Sequence, residues 1–254
     1  MRILLTNDDG IHAPGLAVLE EIARALSDDT WVVAPETDQS GVSHSLSLND
    51  PLRLREIGPH RFAVKGTPTD CVIIGTRHIM ADREPDLVLS GVNCGRNAAE
   101  DVTYSGTVAG AIEGTVLGIP SLALSQAVAS ETRANPHWNT ARKFGPDLIR
   151  RVLAEGIPGD VLVNINFPDC PPQAVKGIAV TSQGKRNQGL LRIEPRQDGR
   201  GNPYYWIAYE RIPLQLDRDG TDLSALADNH IAVTPLRLNM TDDPFMTRLA
   251  AVFS

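Results

Sequence analysis

The stretch from Ile3 to Gly10 constrains this chain more than any other. It begins as an apolar run, Ile3-Leu4-Leu5, and ends in adjacent carboxylates, Asp8 and Asp9. The pattern reads as a first strand that delivers both acids to a turn at its carboxyl end. Gly10 permits a backbone angle that other residues resist, and Pro14-Gly15 prepare a helix. Leu16, Leu19, Ile22, Ala23 and Leu26 recur at steps of three and four, one face of that helix. Trp31-Val32-Val33-Ala34 follows as a second strand. Strand, helix, strand in so short a span is a βαβ unit with parallel neighbouring strands and a right-handed crossover.

The alternation continues. A hairpin is expected within 48–65 and a turn with a helix start at Gly66-Thr67-Pro68-Thr69-Asp70. Asp86 to Ser90 reads as a strand with a polar exit, Gly91 to Asn97. Tyr104-Ser105-Gly106-Thr107 opens a helix, and further strands are expected at 121–125 and 161–167, with a helix between them. This predicts an α/β fold with a mostly parallel sheet flanked by helices. Residues 182–220 lose the helical period and hold many Arg, Gln, Gly, Pro and aromatic residues, including Tyr204, Tyr205, Trp206 and Tyr209. They read as a protruding hairpin or arm, after a core over 1–181. A segment over 221–254 then returns to the core.

The chain of 254 residues is 42% apolar, enough for a substantial core, and its formal charge of −7 argues against a nucleic-acid polymer or an anionic membrane as main ligand. It leaves small phosphorylated substrates open, because a bound metal outweighs the global sign locally. Cys71, Cys94 and Cys170 are odd in number and not closely spaced, which suits a reducing compartment. No apolar run approaches the roughly 20 residues of a membrane span, and no signal peptide precedes the first strand. A cytoplasmic location is expected.

Three polar segments follow three expected parallel strands: Asp8-Asp9, Glu36 to Ser47 with Ser40, and Ser90 to Asn97. In open α/β sheets, ligands sit at the carboxyl ends of the strands. Adjacent carboxylates repel unless a cation or a shared proton offsets them. Two carboxylates, a hydroxyl and an amide carbonyl are hard oxygen donors, suited to Mg²⁺, Mn²⁺ or Ca²⁺. The helix start at Ser105-Gly106-Thr107 suits an anion such as phosphate, or simply an N-cap. His12 and Thr67 to Asp70 suit turn and capping roles, and Cys94 a packing role. His44 and Ser43 are candidates to meet substrate.

Together these motifs are similar to those of the SurE family, the stationary-phase survival proteins. The matching stretches are Asn7 to Gly15, Ala34-Pro35 through Gly41, Gly66 to Cys71, Ser90 to Gly95 with Asn97, and Tyr104 to Val108. A weaker match is Thr221-Asp222 to Thr234-Pro235-Leu236. The resemblance implies metal ligands at Asp8, Asp9, Ser40 and Asn93; Asp8 or Asp9, each next to the metal, would serve as base. It implies a Rossmann-like core, one divalent ion, a homodimer or homotetramer with the arm over 182–220 serving oligomerisation and the carboxyl-terminal segment over 221–254 exchanged between subunits, and hydrolysis of nucleoside 5′- and 3′-monophosphates. Asn97, Ser105, Gly106, Thr107 and Ser43 would contact phosphate. The rival readings are a phosphate-accepting receiver-like signalling module and a metal-dependent hydrolase of a non-phosphate bond. A receiver needs a phosphorylatable Asp after a later strand, where this chain carries Ser90 and Asn93.

Overall fold

The computed structural model describes residues 1–186, 191–209 and 219–253. The first half comprises β1 (Arg2–Thr6), α1 (Pro14–Arg24), β2 (Asp29–Pro35), β3 (Arg53–Gly58), β4 (Arg61–Lys65), α2 (Pro68–Ile74), β5 (Leu87–Cys94), α3 (Asp101–Tyr104), α4 (Gly106–Val116) and β6 (Ser121–Gln126). The second half comprises α5 (Trp138–Glu155), β7 (Val161–Phe167), β8 (Gly177–Val180), β9 (Leu191–Gln197), β10 (Pro203–Tyr209), α6 (Asp222–Ala227), β11 (His230–Arg237) and α7 (Asp243–Phe253).

The described strands form a nine-stranded sheet, β3-β4-β2-β1-β5-β6-β7-β11-β8, and a separate hairpin, β9-β10. From β4 to β7 the sheet is parallel. Both of its faces are covered, as a parallel sheet requires. Alternate side chains of β1 go to opposite faces: Ile3 and Leu5 join Leu16, Leu19, Ile22 and Ile149 of α1 and α5, while Leu4 joins Cys71 and Val72 of α2. β1 lies between β2 and β5, so the chain winds outward from it in both directions. That reversal point is where an open α/β sheet leaves a crevice.

The polar exit expected at Gly91 to Asn97 is partly strand. β5 runs on to Cys94 because β6 pairs with it to the end, Asn93 opposite Ser125 and Cys94 opposite Gln126, after a register shift beyond Ser90. β8 was not foreseen: it is short, with alternate residues exposed, and gains its place by pairing with β11. β11 pairs antiparallel with β7, which makes that end of the sheet mixed. Within the expected arm, 191–209 form the hairpin, whereas Gln183, Gly184 and Arg186 bond to the core. The rest of the arm, 187–190 and 210–218, lies outside the described residues. Among the described residues no helix is long and apolar enough to cross a membrane.

Two helices rest against β5 through glycine. A Cβ at Gly15 of α1 would lie 1.9 Å from the Val92 carbonyl oxygen. On α4, Cβ atoms at Gly106, Gly110 and Gly114 would meet Asp8 Cβ at 2.6 Å, Ser90 Oγ at 2.8 Å and Ser121 Oγ at 2.3 Å. Missing side chains thus set how closely α4 covers β1, β5 and β6. Because backbone cannot rotate aside, Gly15→Ala is expected to destabilise the fold by about 1–3 kcal/mol. Its melting temperature should fall by roughly 2–10 °C in calorimetry. Gly159→Ala, where a Cβ meets nothing within 4 Å, should leave it unchanged.

Candidate active site

Asp8 and Asp9 follow β1 directly. Gly10, at φ +102°, turns the chain away from the sheet. Asn7 Nδ2 donates to the Gly10 carbonyl at 2.9 Å, and Ile11 N–H donates to the Pro35 carbonyl at 2.8 Å, joining this turn to the end of β2. The loop after β2 is tied in the same way: Gln39 N–H donates to the Asp8 carbonyl at 2.7 Å. These bonds place Asp8, Asp9, Ser40 and Asn93 in the lining of one cavity of about 430 Å³ at the carboxyl ends of β1, β2 and β5.

Asp8 is 4% exposed. Burial is the main reason its carboxyl is pushed up to about 7. A hydrogen bond from the Thr107 hydroxyl to Oδ1 opposes this, and the neighbouring charges of Asp9 and Asp38 add to it. Asp9 is raised for the same leading reason, with the Cys94 N–H, 3.2 Å from Oδ2, pulling the other way. The pair is therefore held in a setting that disfavours its charge unless a cation arrives.

The neutral donors are oriented. Ser40 N–H and Oγ–H both donate to Asp38 Oδ1, at 2.8 and 2.6 Å, which leaves the Ser40 lone pairs available. Asn93 Nδ2 donates to the Gly95 carbonyl at 3.0 Å, and the Asn93 Oδ1 has no partner among the described residues. Two carboxylates, a hydroxyl and an amide oxygen form an all-oxygen set that fits a hard divalent cation. Among the described residues no cluster of three or more His, Cys, Asp and Glu side chains competes for a softer metal.

The residues expected at phosphate are placed differently from one another. Asn97 and Ser105 line the cavity; Gly106, Thr107 and Ser43 are not part of its lining. Ser105 is the N-cap of α4, its Oγ accepting from Val108 N–H at 3.0 Å. Thr107 is fully buried, its hydroxyl given to Asp8. Asn97 Nδ2 donates to Ser125 Oγ at 2.9 Å, and the Asn97 peptide is gripped from both sides by Asn164 and Asn166. Ser43, at φ +58°, donates through Oγ to the Thr103 carbonyl at 2.7 Å. His44 Nε2 lies 2.8 Å from Glu113 Oε2, away from the lining, and His12 is exposed. Thr67 and Asp70 form a reciprocal cap at the start of α2.

Sequence reasoning missed Asp38, Arg96, Asp101, Arg133 and Arg186, which share the lining. A signal existed for Arg96 and Arg133: both lie just past strand ends, Arg96 after β5 and Arg133 in the segment between β6 and α5. No local signal points to Arg186, which reaches the cavity from the start of the arm and pairs with Asp101.

Comparison with known proteins agrees with this architecture. A family model described as "Survival protein SurE" matches residues 3–189. A protein of Methylobacterium nodulans named 5′-nucleotidase SurE is 68% identical over 253 residues, covering 100% of both chains. One of the same name from Bradyrhizobium sp. (strain ORS 278) is 64% identical over 255 residues, again covering 100% of each. The crystal structure of the SurE protein from Aquifex aeolicus superposes with a TM-score of 0.85 at 42% identity, over 100% of each chain. With its motifs, sheet and full length shared in this way, the chain belongs to the SurE family.

Proposed function

We propose that this protein is a metal-dependent 5′-nucleotidase that hydrolyses nucleoside 5′-monophosphates, and 3′-monophosphates, to nucleoside and phosphate. The observation that carries the reading is the desolvated Asp8–Asp9 pair beside Ser40 and Asn93 in one cavity at the reversal point of the sheet. Full-length relatives named 5′-nucleotidase support the same activity.

In this reading Asp8, Asp9, Ser40 and Asn93 hold one divalent ion, Mg²⁺, Mn²⁺ or Ca²⁺. When bound, such an ion polarises a phosphoryl oxygen and lowers the pKa of a coordinated water. Asp8 and Asp9 would keep the cation in place, and one of them would take the proton of the attacking water, while the bond to the nucleoside oxygen breaks and that oxygen takes up a proton to leave as a hydroxyl. Thr107 holds Asp8 Oδ1, leaving Oδ2 for this work. The Gly106 and Thr107 N–H groups open α4 without partners among the described residues, close to Asp8. Neither residue is part of the cavity lining, so these N–H groups act on the phosphate through the field of the helix amino terminus, while Ser105 and Asn97 line the wall. Ser43 acts by tying the Ser40 loop to Thr103.

The protein works in the cytoplasm as a homodimer or homotetramer. Three free cysteines support the location. Apolar side chains exposed on the β9-β10 hairpin, among them Ile193, Tyr205, Trp206 and Ile207, support assembly, as do Phe245 and Val252 of α7.

Phosphate release from a nucleoside 5′-monophosphate should stop on EDTA treatment and return with added Mn²⁺ or Mg²⁺; turnover unaffected by chelation would refute the scheme. Asp8→Asn should lower kcat at least about a hundredfold, since a ligand charge is lost. The same variant carries a stability prediction of opposite sense. In metal-free protein the Asp8 carboxyl sits at about 7, above its ordinary 3.8. Its contribution to stability is complete below pH 3.8 and is lost as pH rises through about 7. In EDTA, melting of the wild type should therefore decline between pH 5 and 8 by a component that Asp8→Asn lacks. Parallel pH profiles for the two proteins would exclude this origin.

A further inference from the structure

The cavity carries two kinds of charge. Asp8, Asp9 and Asp38 lie in its lining with Arg96, Arg133, Arg186 and Asp101. Three carboxylates outnumber one divalent ion by a full charge, so that cluster alone would still repel a phosphate dianion. Part of the substrate's charge must be met by guanidinium groups.

The three arginines are not equivalent. Arg186 is committed: its Nη2 pairs with Asp101, and its N–H donates to Glu100 Oε2 at 2.9 Å. Arg133 stands exposed at the rim. Arg96 leaves the end of β5 three residues after Asn93, is partly buried, and makes no ion pair or hydrogen bond among the described residues. The carboxylates that act on it electrostatically are Asp101 and Asp222. Asp101 is taken by Arg186, and Asp222 accepts from the N–H groups of Ala99, Gly184 and Leu223 at 2.8–2.9 Å. Burial, and then the charge of Arg186, push the Arg96 guanidinium below its ordinary range. Arginine keeps its proton nonetheless, so its fork of donors remains charged and, among the described residues, without an acceptor.

We propose that Arg96 is a substrate-binding residue, whose guanidinium grips the phosphoryl oxygens of the phosphomonoester from the β5 side of the cavity. The Arg186–Asp101 pair and the Asp222 clasp hold the segment that presents it. The identity of the phosphomonoester rests on the nucleotidase reading; the anion site rests on the cavity alone.

The test compares wild type, Arg96→Gln and Arg96→Lys. Inorganic phosphate binding is measured by calorimetry on manganese-loaded protein, alongside steady-state kinetics on a nucleoside 5′-monophosphate. Arg96→Gln should weaken phosphate binding and raise KM by about ten- to a hundredfold, as expected for loss of a charge-assisted contact. Its kcat should change less, and its melting temperature and manganese affinity should match wild type. Arg96→Lys should recover part of the phosphate affinity. Unchanged phosphate affinity in Arg96→Gln would overturn the proposal. A joint loss of melting temperature, manganese affinity and phosphate binding that Lys does not repair would overturn it too, by showing a structural role. If wild type bound phosphate through Arg96 yet hydrolysed no nucleotide, the nucleotidase reading would fail while the anion site stood.

Discussion

The structure depends on bringing two neighbouring carboxylates into a largely dry place. Burying an ionised group costs several kcal/mol unless something compensates it. Here the compensation is only partial. The Thr107 hydroxyl serves Asp8, the Cys94 amide serves Asp9, and the charge of Asp38 makes the field worse for both. A fold that tolerates this shortfall at the middle of its central sheet is built to receive positive charge there. Metal binding and folding are consequently linked: whatever neutralises the pair also stabilises the frame that holds it.

The frame is made of close backbone approaches and neutral amides rather than of salt bridges. Gly106, Gly110 and Gly114 let α4 lie directly over the ends of β1 and β5, so that its first turn reaches Asp8. Asn164 and Asn166, facing one way along β7, hold the Asn97 peptide by its carbonyl and its N–H. Neutral groups suit this task because they fix position without adding a field that would compete with the carboxylates.

Much of the frame was legible in the residues. Short apolar runs and a recurrence at steps of three and four in the first 35 residues mark β1, β2 and α1, and parallel pairing follows from the crossover. That the segments of Asp8-Asp9, Ser40 and Asn93 meet in one cavity was legible because each follows or ends a central strand, and such segments converge in folds of this class; the choice of Ser40 and Asn93 within them came from the family resemblance. What stayed hidden is long-range. The turn from Ser90 into Asn93 reads as a loop because of Gly91, yet β6 draws it into the sheet. Ser105 takes the N-cap role that its place at a helix start allows, its hydroxyl serving Val108, whereas the Thr107 hydroxyl serves Asp8, a commitment visible only once α4 lies on β1. Arg186 belongs to a stretch without periodicity, and its pairing with Asp101 spans 85 residues.

The Asp222 clasp has a consequence for the order of events during synthesis. It fastens Ala99, on the segment that carries Arg96 and Asn97, with a carboxylate that emerges from the ribosome more than a hundred residues later. The early βαβ unit can fold while translation continues, since domains form from the amino terminus as chain appears. The Asn97 part of that segment gains its hold once β7 exists, whereas its Ala99 end waits for Asp222. In a nascent fragment that stops short of Asp222, the acidic pair would stand beside a wall still loose at one end.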